Sequence, residues 1–449
     1  MKLDKFSKLS LLAAGVAMPM TPLVAQDATQ QAEAVEQEAP AKPVVVPVDR
    51  QPVMEVVADP LAAQDEPEIA EPEAPLMWSE AQAQALYDFM VGIGAEGLDP
   101  ADYPIERLKY GLESGNALVL SSAANFAFDH VIHDVLLGHT PKENRVDWHI
   151  VDTDLDSVSL NVVRAAALAA PDMGQWLLGQ LPTHPQYAAL KNALRVADPE
   201  DAELVAKIRT NLDRWRWMPR DLGDRYIIVN VPAYTAALVK DGKTISRHKA
   251  VAGAKATPTP QLMAEATGVI FNPYWNVPKS IEPEVRGKPG YEAIKADDGS
   301  IIRYRQPPGP SNALGQVKFV MYNPHLIYLH DTNARGLFDT QNRAYSHGCI
   351  RTENILKLAT MLLEEDGGDW SPEKTVDVVN SGENTGAKFV KPLPVYIVYM
   401  SAAAKPDGGI VEYEDIYSRD GKVLAALGDA QSEERMADLE AAIAEGGSE

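Results

Sequence analysis

The sequence predicts an α+β multidomain chain, a mostly α-helical domain followed by a β-rich one. Apolar residues recur at helical spacing through residues 78–197 with few strand signals among them. From Arg225 onward, strand-length runs rich in β-branched residues take over. The chain has 449 residues, 45% of them hydrophobic, enough for two or three domains with a sizeable core.

The chain opens on Lys2, Lys5 and Lys8, a short apolar run from Leu9 to Met18, a break at Pro19 and a small residue at Ala25. Residues 1–25 therefore read as a secretory signal peptide and place the chain in the periplasm or cell envelope, with an uncleaved anchor as the alternative. No later segment has the apolar length for a stable membrane span. Residues 26–77 are rich in Ala, Glu, Gln, Pro and Val and poor in aromatics, which predicts a disordered acidic, Pro-rich linker.

Residues 78–197 form the helical scaffold domain. Ser79 and Gln82 make a capping box, Leu86, Phe89, Met90 and Ile93 follow at helical spacing, and Gly97 ends the run. Further helices are predicted near 123–137, 160–170 and 186–194. A junction helix lies within 198–224, with Leu204, Ile208, Leu212 and Trp215 on one side. The cluster of Trp215, Trp217 and Met218 reads as packing at a domain junction, with sugar binding as the alternative. The β-rich domain, 225–417, starts with a strand at 226–231 and a hairpin turning at Asp241-Gly242. Strands at 268–271, 318–322, 326–330 and 395–400 and a helix at 354–363 follow. The Pro- and Gly-dense stretch 275–314 predicts a lid or binding loop. Residues 418–449 read as an acidic C-terminal tail.

A net charge of −23 excludes nucleic-acid binding and a polybasic hold on lipid, both of which need clustered Lys and Arg. His130, His133, His139 and His149 fall close together, but no third metal-ligand spacing accompanies the i, i+3 pair, and no metal is expected. One cysteine excludes an internal disulfide. A single thiol in an exported chain is either buried or used.

Its surroundings favour use. Cys349 stands in Ser346-His347-Gly348-Cys349-Ile350-Arg351, just ahead of the predicted helix, whose N-terminal amides would lower the thiol pKa. Gly348 permits close approach of backbone to substrate, and the amides of Cys349 and Gly348 are candidate oxyanion donors. His330 ends an alternating strand and is the candidate base, its tautomer fixed by a backbone carbonyl such as that of Asp331. His347 is a rival base or an orienting residue, and Ser346 a supporting one. Arg351 and Tyr328 are candidate substrate contacts, with a structural salt bridge as the alternative for Arg351.

These motifs resemble the L,D-transpeptidase family, most closely its large multidomain proteobacterial type with a helical scaffold domain. The resemblance rests on His330 and the Ser346–Arg351 run, on 272–278, 307–310, 312–315 and 328–332, and on 181–187 in the helical part. It implies a β-rich L,D-transpeptidase catalytic domain acting on peptidoglycan tetrapeptide stems as donor and acceptor. Cys349 would attack the diaminopimelate carbonyl, release D-Ala and form a thioester; a neighbouring stem's amine would resolve it into a 3→3 cross-link. No cofactor is implied, and carbapenems are expected to acylate the thiol. An L,D-carboxypeptidase, an enzyme attaching an envelope protein to the wall, and an inactive wall-binding scaffold are the alternatives. The peptidoglycan-binding module of many relatives is not recognisable between the helical and β-rich domains. The oligomeric state stays open.

Overall fold

The computed structural model describes residues 77–151, 159–279, 281–405 and 409–428. The predicted signal peptide, nearly all of the predicted linker and residues 429–449 lie outside them. Among the described residues no helix is long and apolar enough to cross a membrane.

The scaffold part comprises α1 (Glu80–Val91), α2 (Ile105–Glu113), α3 (Ala117–Leu137), β1 (Trp148–His149), α4 (Leu160–Ala169), α5 (Met173–Gly179), α6 (Pro185–Val196) and α7 (Ala202–Arg216). The capping box forms as the spacing predicts: Gln82 N donates to Ser79 Oγ, and Ser79 N to Gln82 Oε1. α3 begins earlier than its apolar run suggests because the Asn116 side chain caps Leu118 N at 2.9 Å. α7 falls within the predicted junction region 198–224. Its Ile208, Leu212 and Trp215 share a core with Leu86, Met90 and Phe128.

A buried carboxylate organises the end of α7. Asp213 accepts from His139 N (2.8 Å), Thr140 N (3.1 Å), Thr140 Oγ1 (2.6 Å) and Trp217 Nε1 (3.0 Å), and it pairs with Arg216. Burial alone would raise its pKa, but Arg216 and these donors hold it below the usual carboxylate value. Its stabilising contribution is therefore present above pH ~4 and lost as pH falls through the lower folded value. Asp213→Ala should cost about 3–5 kcal/mol by orphaning a buried guanidinium; an unchanged melting temperature would refute this. The histidines also find partners here: His139 Nδ1 meets Asp134 Oδ2 at 2.7 Å, His130 Nδ1 meets the Phe126 carbonyl at 2.7 Å, and His149 stacks on His325 at 4.0 Å.

The second part carries β2 (Arg225–Asn230), β3 (Thr235–Lys240), β4 (Lys243–Gly253), β5 (Gln261–Phe271), β6 (Trp275–Asn276), α8 (Glu282–Val285), β7 (Glu292–Lys295), β8 (Ile301–Gln306), β9 (Val317–Met321), β10 (Leu329–His330), β11 (Ala344–Ser346), β12 (Ile350–Thr352), α9 (Ile355–Glu365), α10 (Pro372–Ser381) and β13 (Thr385–Val398). β14 (Ala402–Ala404), β15 (Ile410–Glu412) and α11 (Asp420–Ala426) complete it. β3 and β4 form the predicted hairpin, with Asp241 at φ 48° and Gly242 at φ 70°, as a type I′ turn requires.

The large sheet has ten strands in the order β1-β5-β13-β2-β3-β4-β12-β10-β9, with β11 added beside β4. β9 also pairs with β5, so the path closes on itself. Alternation divides its two faces. Ile227, Val229, Leu238, Val395 and Ile397 enter the main core, while Tyr226, Val239, Tyr396 and Val398 join the scaffold core.

Two expectations change. The stretch 275–314 is not an irregular loop but holds its own three-stranded sheet, β6-β8-β7. Residues 418–428 are no solvated tail: Val423 and Leu427 enter the scaffold core, and Asp420 binds Arg214 at 2.7 Å. The apolar pair Val423 and Leu427, one helical turn apart, holds this end down despite the acidic residues that follow.

Candidate active site

β10 and β12 run parallel, with Leu329 opposite Ile350 and His330 opposite Arg351. β9 sets Lys318 opposite His330, and β4 sets Val251 opposite Arg351. Cross-strand partners share a face, so Lys318, His330, Arg351 and Val251 form one row. Their neighbours Phe319, Leu329, Ile350 and Ala250 point the other way into the main core. A strand register thus places two cations and an imidazole on the face opposite the core.

Cys349, two residues before Arg351, comes close enough for its charge to act on the guanidinium. The thiol is 1% exposed and donates to the Leu326 carbonyl, with Sγ 3.7 Å away. Its loop is fixed from within. Ser346 Oγ donates to the Cys349 carbonyl at 2.5 Å and accepts from Gly348 N at 3.2 Å, while Thr259 Oγ1 donates to the Gly348 carbonyl at 2.7 Å. Gly348 sits at φ 115°, a region that side chains rarely occupy. Thr259 is braced in turn by Arg419, which donates to the Thr259 carbonyl at 3.1 Å and to Asp147 at 2.6 Å.

Three site expectations are corrected. Strand β12, not a helix, follows Cys349, because Ile350-Arg351-Thr352 bridges β4 and β10; α9 starts at Ile355, beyond reach of a first-turn dipole effect. The Gly348 amide is taken by Ser346 Oγ and leaves the set of oxyanion donors. Arg351 and Tyr328 do not stand open to a substrate: they are 1% and 7% exposed. Tyr328 packs edge-on to His330, centroids 5.5 Å apart, under the Lys318 ammonium. No carboxylate among the described residues pairs with Arg351, and its Nε and Nη2 have no hydrogen-bond partner.

His330 is fully buried, and its Nδ1 lies 2.5 Å from the Asp331 carbonyl. A carbonyl only accepts, so Nδ1 carries the proton and Nε2 is the lone-pair nitrogen. Nε2 has no partner. Burial first, then the positive charges of Arg351 and Lys318, push the pKa down to about 3, so the ring is neutral at physiological pH. Burial also lowers Arg351 to about 10, against the thiolate's opposite pull. His347 is half-buried on the Cys349 loop, with Nδ1 unpartnered.

Asp331 is held by its own carboxylate, which accepts from Gln316 N and Arg335 Nη2, each at 2.9 Å. Gly315 makes this possible: at φ +60°, a Cβ there would lie 2.4 Å from Asp331 Oδ2. Gly315→Ala should therefore cost about 1–3 kcal/mol of stability and slow acylation of Cys349 by a carbapenem about a hundredfold through displacement of His330. Wild-type melting and acylation rates would refute that.

Lys318, Thr259, Leu326 and Arg419 were not picked out from the sequence. A lysine between Val317 and Phe319 in a short apolar strand is a signal that finds Lys318; the other three contribute through backbone or distant contacts that leave no local pattern.

The fold and site define a two-domain α+β protein whose second domain sets a cysteine just ahead of one strand and a histidine on the strand beside it. Residues 224–395 match the L,D-transpeptidase catalytic domain, and residues 71–194 match the Scaffold domain. The chain carries the catalytic domain of the L,D-transpeptidase family, preceded by a scaffold domain. A Haemophilus influenzae protein provisionally named an L,D-transpeptidase is 32% identical over 253 residues, 51% of this chain and 50% of the relative. The chain thus spans about half the length of that curated relative. An Enterococcus faecium L,D-transpeptidase cysteine-to-serine mutant (16% identity, 40% of this chain and 52% of that one, TM-score 0.22) and an L,D-transpeptidase from Mycobacterium smegmatis (14%, 39% and 58%, TM-score 0.21) are similar solved structures with weak overall superposition.

Proposed function

We propose that this chain is an exported peptidoglycan L,D-transpeptidase with Cys349 as nucleophile and His330 as base. The observation that carries the reading is the neutral His330 with its bare Nε2, on the strand beside the one that follows Cys349, inside a domain that matches the family. His330 Nε2 takes the thiol proton, and the sulfur attacks the diaminopimelate carbonyl carbon of a tetrapeptide stem. Arg351, buried beside the sulfur, balances the thiolate rather than gripping a substrate carboxylate. The His330 imidazolium formed in that step protonates the departing D-Ala amine as the C–N bond breaks. A thioester remains. The amine of a neighbouring stem then attacks it, losing its proton to His330, and a 3→3 amide forms with the thiol restored.

A nucleophile that is 1% exposed requires something to move before a stem enters. We assign this to the 275–314 segment, which packs Trp275, Val277 and Tyr304 into the core that contains Cys349. Trimming β7 and β8 should lower turnover at least about tenfold; full activity in the trimmed chain would refute the assignment.

The test is incubation of the purified protein with a disaccharide-tetrapeptide and identification of products by mass. A cross-linked dimer with free D-Ala is expected. Tripeptide without dimer would mean that water resolves the thioester, making the enzyme an L,D-carboxypeptidase. No turnover and no carbapenem adduct would overturn the reading.

A further inference from the structure

On the sheet face that meets the scaffold domain, the cross-strand pairs Tyr226–Val239, Ile228–Ala237 and Asn230–Thr235 floor a cavity of about 520 Å3. The space exists because side chains there are small: Ala237 lies on the floor, and β14, an all-alanine strand, forms one wall. The volume and the position between two domains are those of ligand sites. Cys349 does not line it.

The charge of the lining is selective. The chain has 64 Asp and Glu against 41 Lys and Arg, yet the cavity residues include no carboxylate and two cations, Arg247 and Lys405. Both are exposed, and neither has an ion-pair partner among the described residues. The two lining amides are already used: Asn230 exchanges two hydrogen bonds with Met400, and Gln186 two with Ala404, which leaves the neutral hydroxyls of Thr235, Thr244 and Tyr413. Trp215 offers no open face for a sugar, since His184 stacks on it at 4.1 Å and 16°. The result is a largely apolar hollow of methyl-sized contours with a few neutral hydroxyls and two cations that have no ion-pair partner among the described residues.

We propose that this interdomain cavity is a second, non-catalytic site for an anionic peptidoglycan stem peptide. The stem's alanine methyl groups pack on the floor, and its carboxylates meet Arg247 and Lys405. The choice of a stem as the occupant rests on the proposed function. Residues 197–201 alone join α6 to α7, and a stem held in the cavity gives the enzyme a hold on the wall beside that junction.

The full chain carrying Cys349→Ala, titrated with disaccharide-tetrapeptide in a calorimeter, should bind two ligands. Adding R247E and K405E, both at exposed positions, should leave one and weaken co-sedimentation with purified sacculi about tenfold. Thr244→Trp, at the exposed rim, should do the same by blocking entry without changing charge. With Cys349 intact, the charge-reversed chain should react with a carbapenem at the wild-type rate. A single bound ligand in the parent, or two in both variants, overturns the proposal. Failure of the wild-type chain to react with a carbapenem would instead remove the catalytic reading, and the titration would still decide the second site.

Discussion

Cys349→Ala leaves a folded protein that gains no carbapenem mass and releases no D-Ala. The loss in turnover should be about 10⁴-fold or more, the scale on which removal of an attacking atom acts. The argument is chemical rather than positional. Arg351 sets a fixed cation near the thiol, and His330 lies opposite Arg351 on the neighbouring strand as a neutral acceptor; in the proposed reaction only the sulfur attacks. Cys349 also fills space in the main core, so its truncation should cost about 1 kcal/mol. A melting temperature within a few degrees of wild type separates chemical loss from unfolding. A carbapenem adduct on the alanine variant would move the nucleophile elsewhere.

Between pH 5 and 8 the imidazole of His330 should remain neutral, unlike an ordinary histidine that titrates near 6.5. Its folded pKa of about 3 is set by burial and then by Arg351 and Lys318 on either side. The sign of the linkage follows: the unfolded chain takes up this proton below about pH 6.5 and the folded chain does not, so native stability falls as pH drops from there toward 3. Nitrogen-15 NMR of the histidine side chains reads the tautomer and charge directly, and an imidazolium at His330 at pH 6 would refute the electrostatic account. His330→Ala should slow carbapenem acylation by about 10²–10⁴-fold, the range for loss of a general base. His347→Ala should slow it much less. The opposite order would transfer the base role to His347.

Much of this was legible in the sequence where local chemistry decides structure. Ser79 with Gln82, Asp241-Gly242 and the runs 226–231 and 354–363 each carry a signal within a few residues, and each forms as read. The candidate pair Cys349 and His330 likewise stands out through local motifs, the run 346–351 and the end of a short alternating strand. Elsewhere the deciding contacts are distant. β12 is three residues long, too short for any periodicity, and exists because β4 and β10 receive it. β7 and β8 mix charged and apolar residues beside a Pro-rich stretch and become strands by pairing with each other. The burial of Arg351 is invisible in a motif where an exposed guanidinium and a buried one look alike. The tie from Arg419 to Thr259 spans 160 residues.

Strand β13 has a bearing on how such a chain can be divided. Its Val395 and Ile397 belong to one core and its Tyr396 and Val398 to the other, while β1 adds residues of the helical part to the edge of the same sheet. The two named domains are therefore not beads on a string. A fragment cut at the start of β2 would bare a continuous oily wall and tend to self-associate, and heat should melt the whole molecule as one cooperative unit. Inheritance follows the same constraint: recombination that exchanges either half must bring along a matching partner surface, which ties the evolutionary fate of the helical half to the half that carries Cys349.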